Sequence, residues 1–305
     1  MSKKIILIAG PTASGKSNLA ILLAKKINGE IINADSMQIY KEFNILSSRP
    51  SNEDLKKIKH HLYGFISVKK NFSVGQWLKL VKKKVKHCLK SKKTPVIVGG
   101  TGLYFKAITK GISQIPEISK RTRNQIRKLH KEIGPKKFYE LLVKIDPMVK
   151  KNLLSSDTQR VLRAYEVKLV TKKSIFQWAL NTKSEFLDYN IKKIFINIPR
   201  EELLKKISER TETMFNKKCV NEVKKFCKLK ANKSLSAHKL IGVSEINNYL
   251  KGTETLTKTK ELIAIKTRQY AKRQNTWSRG HMNNWNKLYS KDFSILLKKV
   301  LKVVS

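Results

Sequence analysis

Gly10-Pro11-Thr12-Ala13-Ser14-Gly15-Lys16-Ser17 decides how the rest of this chain is read. It follows an apolar run, Lys4-Ile5-Ile6-Leu7-Ile8-Ala9, and leads into a helical pattern over residues 18–27. A strand, a glycine turn and a helix in that order form the setting in which a backbone cradles phosphate. Successive N–H groups point into one concavity, the helix start adds positive potential, and Lys16 bridges phosphate oxygens. The Ser17 hydroxyl falls where Mg2+ takes an oxygen ligand. The whole loop, Gly10 through Ser17, is therefore the expected binding site for a phosphorylated ligand, with Lys16 its charged element and Ser17 its metal ligand.

Working outward, Glu30-Ile31-Ile32-Asn33-Ala34 and Pro95-Val96-Ile97-Val98 read as buried parallel strands, and Lys193-Ile194-Phe195-Ile196-Asn197-Ile198 as a further one. Residues 72–92 form one amphipathic helix between the second and third strands, with Trp77, Leu78, Val81 and Val85 on its apolar side. Strands separated by helices predict an open α/β sheet with right-handed crossovers and a ligand beyond the carboxyl ends of the strands. The glycine loop, Asp35 and Gly99-Gly100-Thr101 all fall at such ends.

From about residue 115 to 190 the pattern changes. Helical segments over 119–132, 136–144, 157–170 and 174–180 follow one another without a convincing strand. After Pro199 helices are expected over 201–215, 221–229, 239–250, 258–274 and 293–303, with linker-like points at 115–116 and 190–192. The expected organisation is a P-loop NTPase-like α/β core, residues 1–114 and 191–305, with a parallel sheet flanked by helices and an inserted all-helical domain over 115–190.

The chain has 305 residues, of which 66 are Lys or Arg and 22 Asp or Glu, a formal net charge of +44. A field of that sign attracts polyanions, although a general enrichment in solvated lysine would leave the same total. Beside a phosphate loop it points to nucleic acid as a partner. Cys88, Cys219 and Cys227 show no CxxC or other close zinc spacing, and three thiols fit a reducing compartment better than a disulfide framework. The first strand begins within a few residues of Met1, and no apolar stretch approaches the ~20 residues of a membrane span. A cytoplasmic, soluble monomer without a membrane partner is expected.

Four segments carry the chemistry. Asp35-Ser36-Met37-Gln38 opens where the second strand ends: a carboxylate there serves as a general base or metal-water orienter, or caps a helix. Gly99-Gly100-Thr101-Gly102 lets backbone approach a ligand closely and offers the Thr101 hydroxyl, or is a plain strand-to-helix turn. It carries no acidic residue of the kind an ATPase uses for magnesium. Asp157-Thr158-Gln159-Arg160-Val161-Leu162-Arg163 sets Gln159 and Arg163 four apart on one helical face, able to grip phosphates and read a base edge, or simply solvated. Thr267-Arg268-Gln269-Tyr270-Ala271-Lys272-Arg273-Gln274-Asn275-Thr276-Trp277 interleaves cations with aromatics, as an RNA-stacking surface or a packed helix with a basic outer face.

In order and over essentially the whole chain, GPTASGKS, DSMQIY from Asp35, GGTGLYF from Gly99, SSDTQRVLRAYE from Ser155, Glu209-Arg210…Met214 and TRQYAKRQNTW from Thr267 resemble the bacterial tRNA dimethylallyltransferase (tRNA isopentenyltransferase) family. The resemblance implies transfer of a dimethylallyl group from dimethylallyl diphosphate to the exocyclic N6 of the adenine 3′ to the tRNA anticodon, with Mg2+ and release of diphosphate. It implies that Lys16, Asp35, Thr101 and Arg210 are catalytic. Asp35, Ser36, Met37 and Gln38, Thr101, Arg123, and Gln159, Arg160, Val161, Leu162 and Arg163 then contact tRNA. Two departures from the family pattern stand at Lys217-Lys218-Cys219, where similar proteins carry a glycine, and at Val243, where they carry a tyrosine. The competing readings are an ATP-dependent nucleotide or RNA kinase using the same loop, and a basic RNA-binding module with a vestigial phosphate site.

Overall fold

A computed structural model describes residues 3–305. In chain order its elements are β1 (Lys4–Ala9), α1 (Lys16–Lys26), β2 (Gly29–Asn33), α2 (Asn52–Lys57), β3 (His60–His61), α3 (Val74–Lys90), β4 (Thr94–Gly99) and α4 (Gly102–Thr109). There follow α5 (Lys120–Ile145), α6 (Val149–Asn152), α7 (Thr158–Thr171), α8 (Ile175–Leu180), β5 (Asn190–Ile196), α9 (Arg200–Met214) and α10 (Lys217–Lys228). A 3₁₀ turn (Ser236–Lys239), α11 (Val243–Leu250), α12 (Leu256–His281), β6 (Asn286–Leu288) and α13 (Phe293–Val304) complete the chain.

The sheet has six parallel strands in the order β3-β2-β4-β1-β5-β6. Ala9 lies opposite Gly99 on one side and Phe195 on the other, so the turns after β1 and β4 emerge side by side. One face buries Ile6, Ile8, Ile31, Val96, Val98, Ile194 and Ile196 against Leu19, Leu23 and Ala24 of α1 and Leu296, Val300 and Val304 of α13. Each such aliphatic side chain contributes ~1.5–3 kcal/mol when taken fully out of water. Near β2, Trp77 of α3 is fully buried, donates Nε1–H to the Asn33 carbonyl at 2.9 Å and stacks on Tyr104 at 4.0 Å. That packing fixes the strand from which Asp35 emerges.

The chain divides into two compact units, residues 3–108 with 188–305 and residues 109–187. The second is all-helical. Its core joins Ile126, Phe138 and Leu142 of α5 to Val161, Ala164 and Tyr165 of α7. The α5 span is interrupted at Gly134 (φ 78°, ψ 164°) before Pro135, which accounts for the two separate segments expected there.

Several boundaries differ from expectation. β5 begins at Asn190, so the supposed linker at 190–192 is strand: the Asn190 N–H donates to the Lys3 carbonyl and the ladder with β1 runs from Lys4. α12 continues to His281 and takes in Trp277. The two departures in sequence differ in setting: Val243 packs into the cluster around Phe43, Phe226 and Ile246, whereas Lys217 and Lys218 are exposed at the start of α10 and only Cys219 of that stretch is buried.

Candidate functional site

The loop between β1 and α1 closes on itself through the Ser14 N–H to the Pro11 carbonyl (3.3 Å). Ala13 (φ 63°) and Gly15 (φ 80°) are both left-handed. Ala13 bears ~1–2 kcal/mol of strain for this, whereas glycine adopts the conformation freely, and alternation of handedness is what turns successive amides inward as an anion nest. α1 starts at Lys16 with no side-chain cap, so its first N–H groups remain available. Lys16 Nζ rests on the Pro11 carbonyl at 3.1 Å. Burial pulls its pKa down to about 8, against an opposing pull from Asp35 and with a further push down from Arg210. The Ser14 hydroxyl is buried without a partner, and Ser17 in the first helical turn is exposed. The polar side-chain groups here are oxygens and one ammonium, a set that suits phosphate together with a hard cation such as Mg2+.

Across from the loop, the turn after β2 presents Asp35. The Asn33 side chain braces this turn: Oδ1 accepts the Asp35 N–H (2.8 Å) and Nδ2 donates to the Asp35 carbonyl (2.9 Å). Asp35 Oδ1 accepts the Met37 N–H at 2.9 Å. The two readings of this residue are therefore compatible: one carboxylate oxygen stabilises the turn and Oδ2 looks toward Gly100. Thr101 Oγ1 accepts the Ser36 N–H at 2.9 Å and contacts the Ser36 hydroxyl at 3.3 Å, while its own N–H reaches the Ala34 carbonyl at 3.1 Å. Gln38 is turned to the carbonyls of Ser47 and Ser48 and builds the loop wall.

Two clefts border these residues. One of about 290 Å³ is lined by Thr12, Asp35 and Arg210 and by the apolar Met37, Met214, Leu240 and Ile263. The other, about 240 Å³, is lined by Gly10, Gly100, Thr101, Phe195 and Trp277. Tyr270 and Arg273 of α12 border both. Arg210 of α9 is half-buried; burial lowers its pKa, while Asp35 supports its charge. A cation, a phosphate nest and a carboxylate thus surround an apolar hollow.

α12 supplies residues that composition alone assigned to base stacking. Thr267, Ala271 and Ser278 are buried, and Trp277 stacks on His281 at 4.2 Å. Burial raises the Tyr270 phenol pKa, with Asp35 adding to the rise. The bridging role of Gln274 within that segment was not foreseen: its Oε1 accepts the Thr12 N–H at 2.8 Å and its Nε2 donates to the Gly100 carbonyl at 2.9 Å. A Cβ on Gly100 would overlap that amide, so only glycine permits the bridge. One side chain thereby ties the phosphate loop to the turn bearing Thr101. Gln274→Ala is expected to lower stability by about 1–3 kcal/mol for two lost hydrogen bonds and to raise KM for both substrates. Denaturant midpoints and steady-state kinetics check this, and unchanged KM values would reduce Gln274 to a packing residue.

In the helical unit, the face of α7 is mixed. Gln159 and Arg160 are exposed, Arg160 pairing with the N-cap Asp157 at 3.3 Å, whereas Val161 is 1% exposed and belongs to the core. Its side chain supports the face from behind and does not reach outward. Leu162 is also packed on that core. Arg163 and Arg123 converge on the buried Glu166, at 3.2 and 3.7 Å. This unit therefore holds a preassembled cation pair around one carboxylate. Arg160→Ala is expected to shallow the salt dependence of RNA binding by about one unit of slope without loss of stability, whereas Arg163→Ala also weakens the unit by stripping Glu166. Salt titrations and thermal melts of the two variants separate these effects.

The family model for IPP transferase matches residues 38–281. A tRNA dimethylallyltransferase of Pelagibacter ubique is 51% identical over 299 residues, covering 98% of this chain and 96% of that protein. One from Rickettsia massiliae is 41% identical over 306 residues, covering 99% and 84%. Among solved structures, the tRNA delta(2)-isopentenylpyrophosphate transferase of Staphylococcus epidermidis aligns at TM-score 0.68 and 30% identity over 98% of this chain and 97% of that one. A eukaryotic dimethylallyltransferase acting on tRNA aligns at TM-score 0.77 and 26% identity over 91% and 70%. With the nest, the facing carboxylate and the mixed polar and apolar clefts all in one parallel-sheet unit, this chain belongs to the IPP transferase family.

Proposed function

We propose that this protein transfers a dimethylallyl group from dimethylallyl diphosphate to N6 of the adenine 3′-adjacent to the tRNA anticodon (position 37), releasing diphosphate. The observation that carries the reading is the Asp35 carboxylate and the cationic phosphate nest set about one apolar hollow. Loss of diphosphate from an allylic carbon places negative charge on the departing oxygens. Loop amides, Lys16 and Arg210 stabilise that charge in a fixed, partly dry setting. An adenine amine is a weak nucleophile because its lone pair is drawn into the ring. Asp35 Oδ2 accepts its proton as the new C–N bond forms, while Oδ1 holds the turn. Thr101 positions the Ser36 backbone beside it. The apolar wall of Met37, Met214 and Ile263 suits a short branched hydrocarbon and excludes water that would otherwise capture an allylic cation.

Magnesium fits the oxygen donors: Ser17, with diphosphate oxygens and water, would hold it, and it would supply further charge neutralisation of the leaving group. The helical unit, through Arg123, Gln159, Arg160 and Arg163, contributes contacts to the tRNA anticodon stem-loop, and the target base leaves its stack at a cost of a few kcal/mol. The proposed setting is a cytoplasmic monomer working on tRNA; among the described residues no helix is long and apolar enough to cross a membrane.

Incubation of the protein with labelled dimethylallyl diphosphate, Mg2+ and unmodified tRNA is expected to place label on one anticodon-loop adenine. Release of γ-phosphate from ATP onto RNA, with the isoprenoid ester ignored, would overturn the reading in favour of a kinase.

A further inference from the structure

Away from the phosphate loop, β2, β3 and the last turn of α3 bring together three side chains that the transfer reaction does not use. Glu30 is 7% exposed, His61 6% and Cys88 fully buried. His61 Nε2 donates to Glu30 Oε2 at 2.6 Å, and the Cys88 thiol donates to the same oxygen at 3.5 Å. One ligand atom from each lies within 4.8 Å of the others. Glu30 stands near the amino end of β2, whereas the nest and Asp35 follow the carboxyl ends of β1 and β2, so the cluster lies toward the opposite end of the strands.

We propose that Glu30, His61 and Cys88 form a buried three-ligand site for a borderline-soft divalent cation, Zn2+ being the best match. The donor set is one sulfur, one imidazole nitrogen and one carboxylate oxygen, which zinc accepts and magnesium does not favour. Around a tetrahedral ion with bonds of ~2.0–2.3 Å the ligand atoms stand roughly 3.3–3.8 Å apart; the Cys88–Glu30 separation of 3.5 Å already fits, the His61–Glu30 hydrogen bond has to open by less than about 1 Å, and His61 and Cys88 lie within 4.8 Å of each other. Charge balance supports the assignment. Binding of one Zn2+ forms the metal–sulfur bond, releases the thiol proton to solvent and leaves +2 balanced by thiolate and carboxylate, a neutral buried cluster. The imidazole proton moves to Nδ1 and is not lost.

Lys59 and His87 flank the cluster. Lys59 Nζ is 3.8 Å from Glu30 Oε1 and 58% exposed, so it competes for the carboxylate from a side that solvent reaches. His87, exposed on α3, sets its ring edge-on to His61 at 6.1 Å and brings Nε2 within 3.4 Å of Lys59 Nζ.

Cobalt(II) titration of the purified full chain tests this without reference to activity. The expected result is a thiolate-to-cobalt charge-transfer band saturating at one ion per chain, displaced by Zn2+ and accompanied by release of one proton. Cys88→Ser should lose the band and Cys227→Ser, the exposed thiol, should keep it. Lys59→Gln should tighten binding by about two- to fivefold, the weight of a half-exposed ion pair. Absence of the band in folded wild-type protein, its persistence in Cys88→Ser, or its loss in Cys227→Ser would overturn the proposal. If Cys88→Ser fails to fold, His61→Gln and the Cys227→Ser control decide it by the same readout.

Discussion

Asp35→Asn is expected to lower prenyl transfer by about 10²–10⁴ while leaving tRNA affinity near that of the wild type. Asparagine preserves the acceptor that holds the Met37 N–H at 2.9 Å, and the Asn33 bridge to the Asp35 backbone is untouched. What disappears is a carboxylate able to take the amine proton. Asp35→Ala removes both functions and should add a stability loss of about 1 kcal/mol, the weight of a turn hydrogen bond. Single-turnover transfer with saturating tRNA separates the two variants from each other. If Asp35→Asn turns over at the wild-type rate, the residue is a turn cap and the base lies elsewhere.

Lys16→Ala should reduce transfer by about 10²–10³, as removal of one preorganised donor to a developing oxyanion does elsewhere. The loop amides and Arg210 persist, so the site loses rate more than shape. Lys16→Arg is not expected to rescue it, because a planar fork does not fit where a compact ammonium sits against the Pro11 carbonyl. The wild type also carries a pH signature. Lys16 titrates at about 8 in the free protein, and only its charged form attracts diphosphate. Affinity for the diphosphate ester is therefore full below that value and falls as pH rises through it, with proton uptake on binding in that window. Ligand binding measured between pH 7 and pH 9.5 should show this slope in the wild type and lose it in Lys16→Ala. A slope of equal size in the variant would assign the titration to another group.

The sheet core and the loop were legible because their signals are local. Continuous apolar runs ending in turn residues define β1, β2 and β4, and the spacing of two glycines before Lys16 and Ser17 defines the nest. β3 and β6 were not legible: two and three residues at the sheet edges are too short for alternation, and β6 is largely exposed. α2 buries nothing and is held by the Ser51–Asp54 capping box, so no periodicity betrays it. Within the site, Asp35 and Thr101 announced themselves by standing at strand ends. The role of Gln274 did not, since it depends on pairing across 262 residues with Thr12 and 174 with Gly100. Val161 looked like part of a solvated face only because its neighbours Arg160 and Arg163 are charged; burial is a tertiary fact. The Glu30–His61–Cys88 group is likewise invisible to spacing rules, being assembled from two strands and a helix.

The Gln274 bridge has a bearing on inhibitor selectivity. In a generic nucleotide pocket each inward-facing amide of the glycine turn is open to an incoming anion. Here the Thr12 amide is already engaged by a carboxamide from the far end of the chain. Compounds built around triphosphate mimicry forfeit that anchor, whereas a scaffold that displaces the carboxamide and replaces both of its contacts would discriminate this enzyme from kinases sharing the same turn.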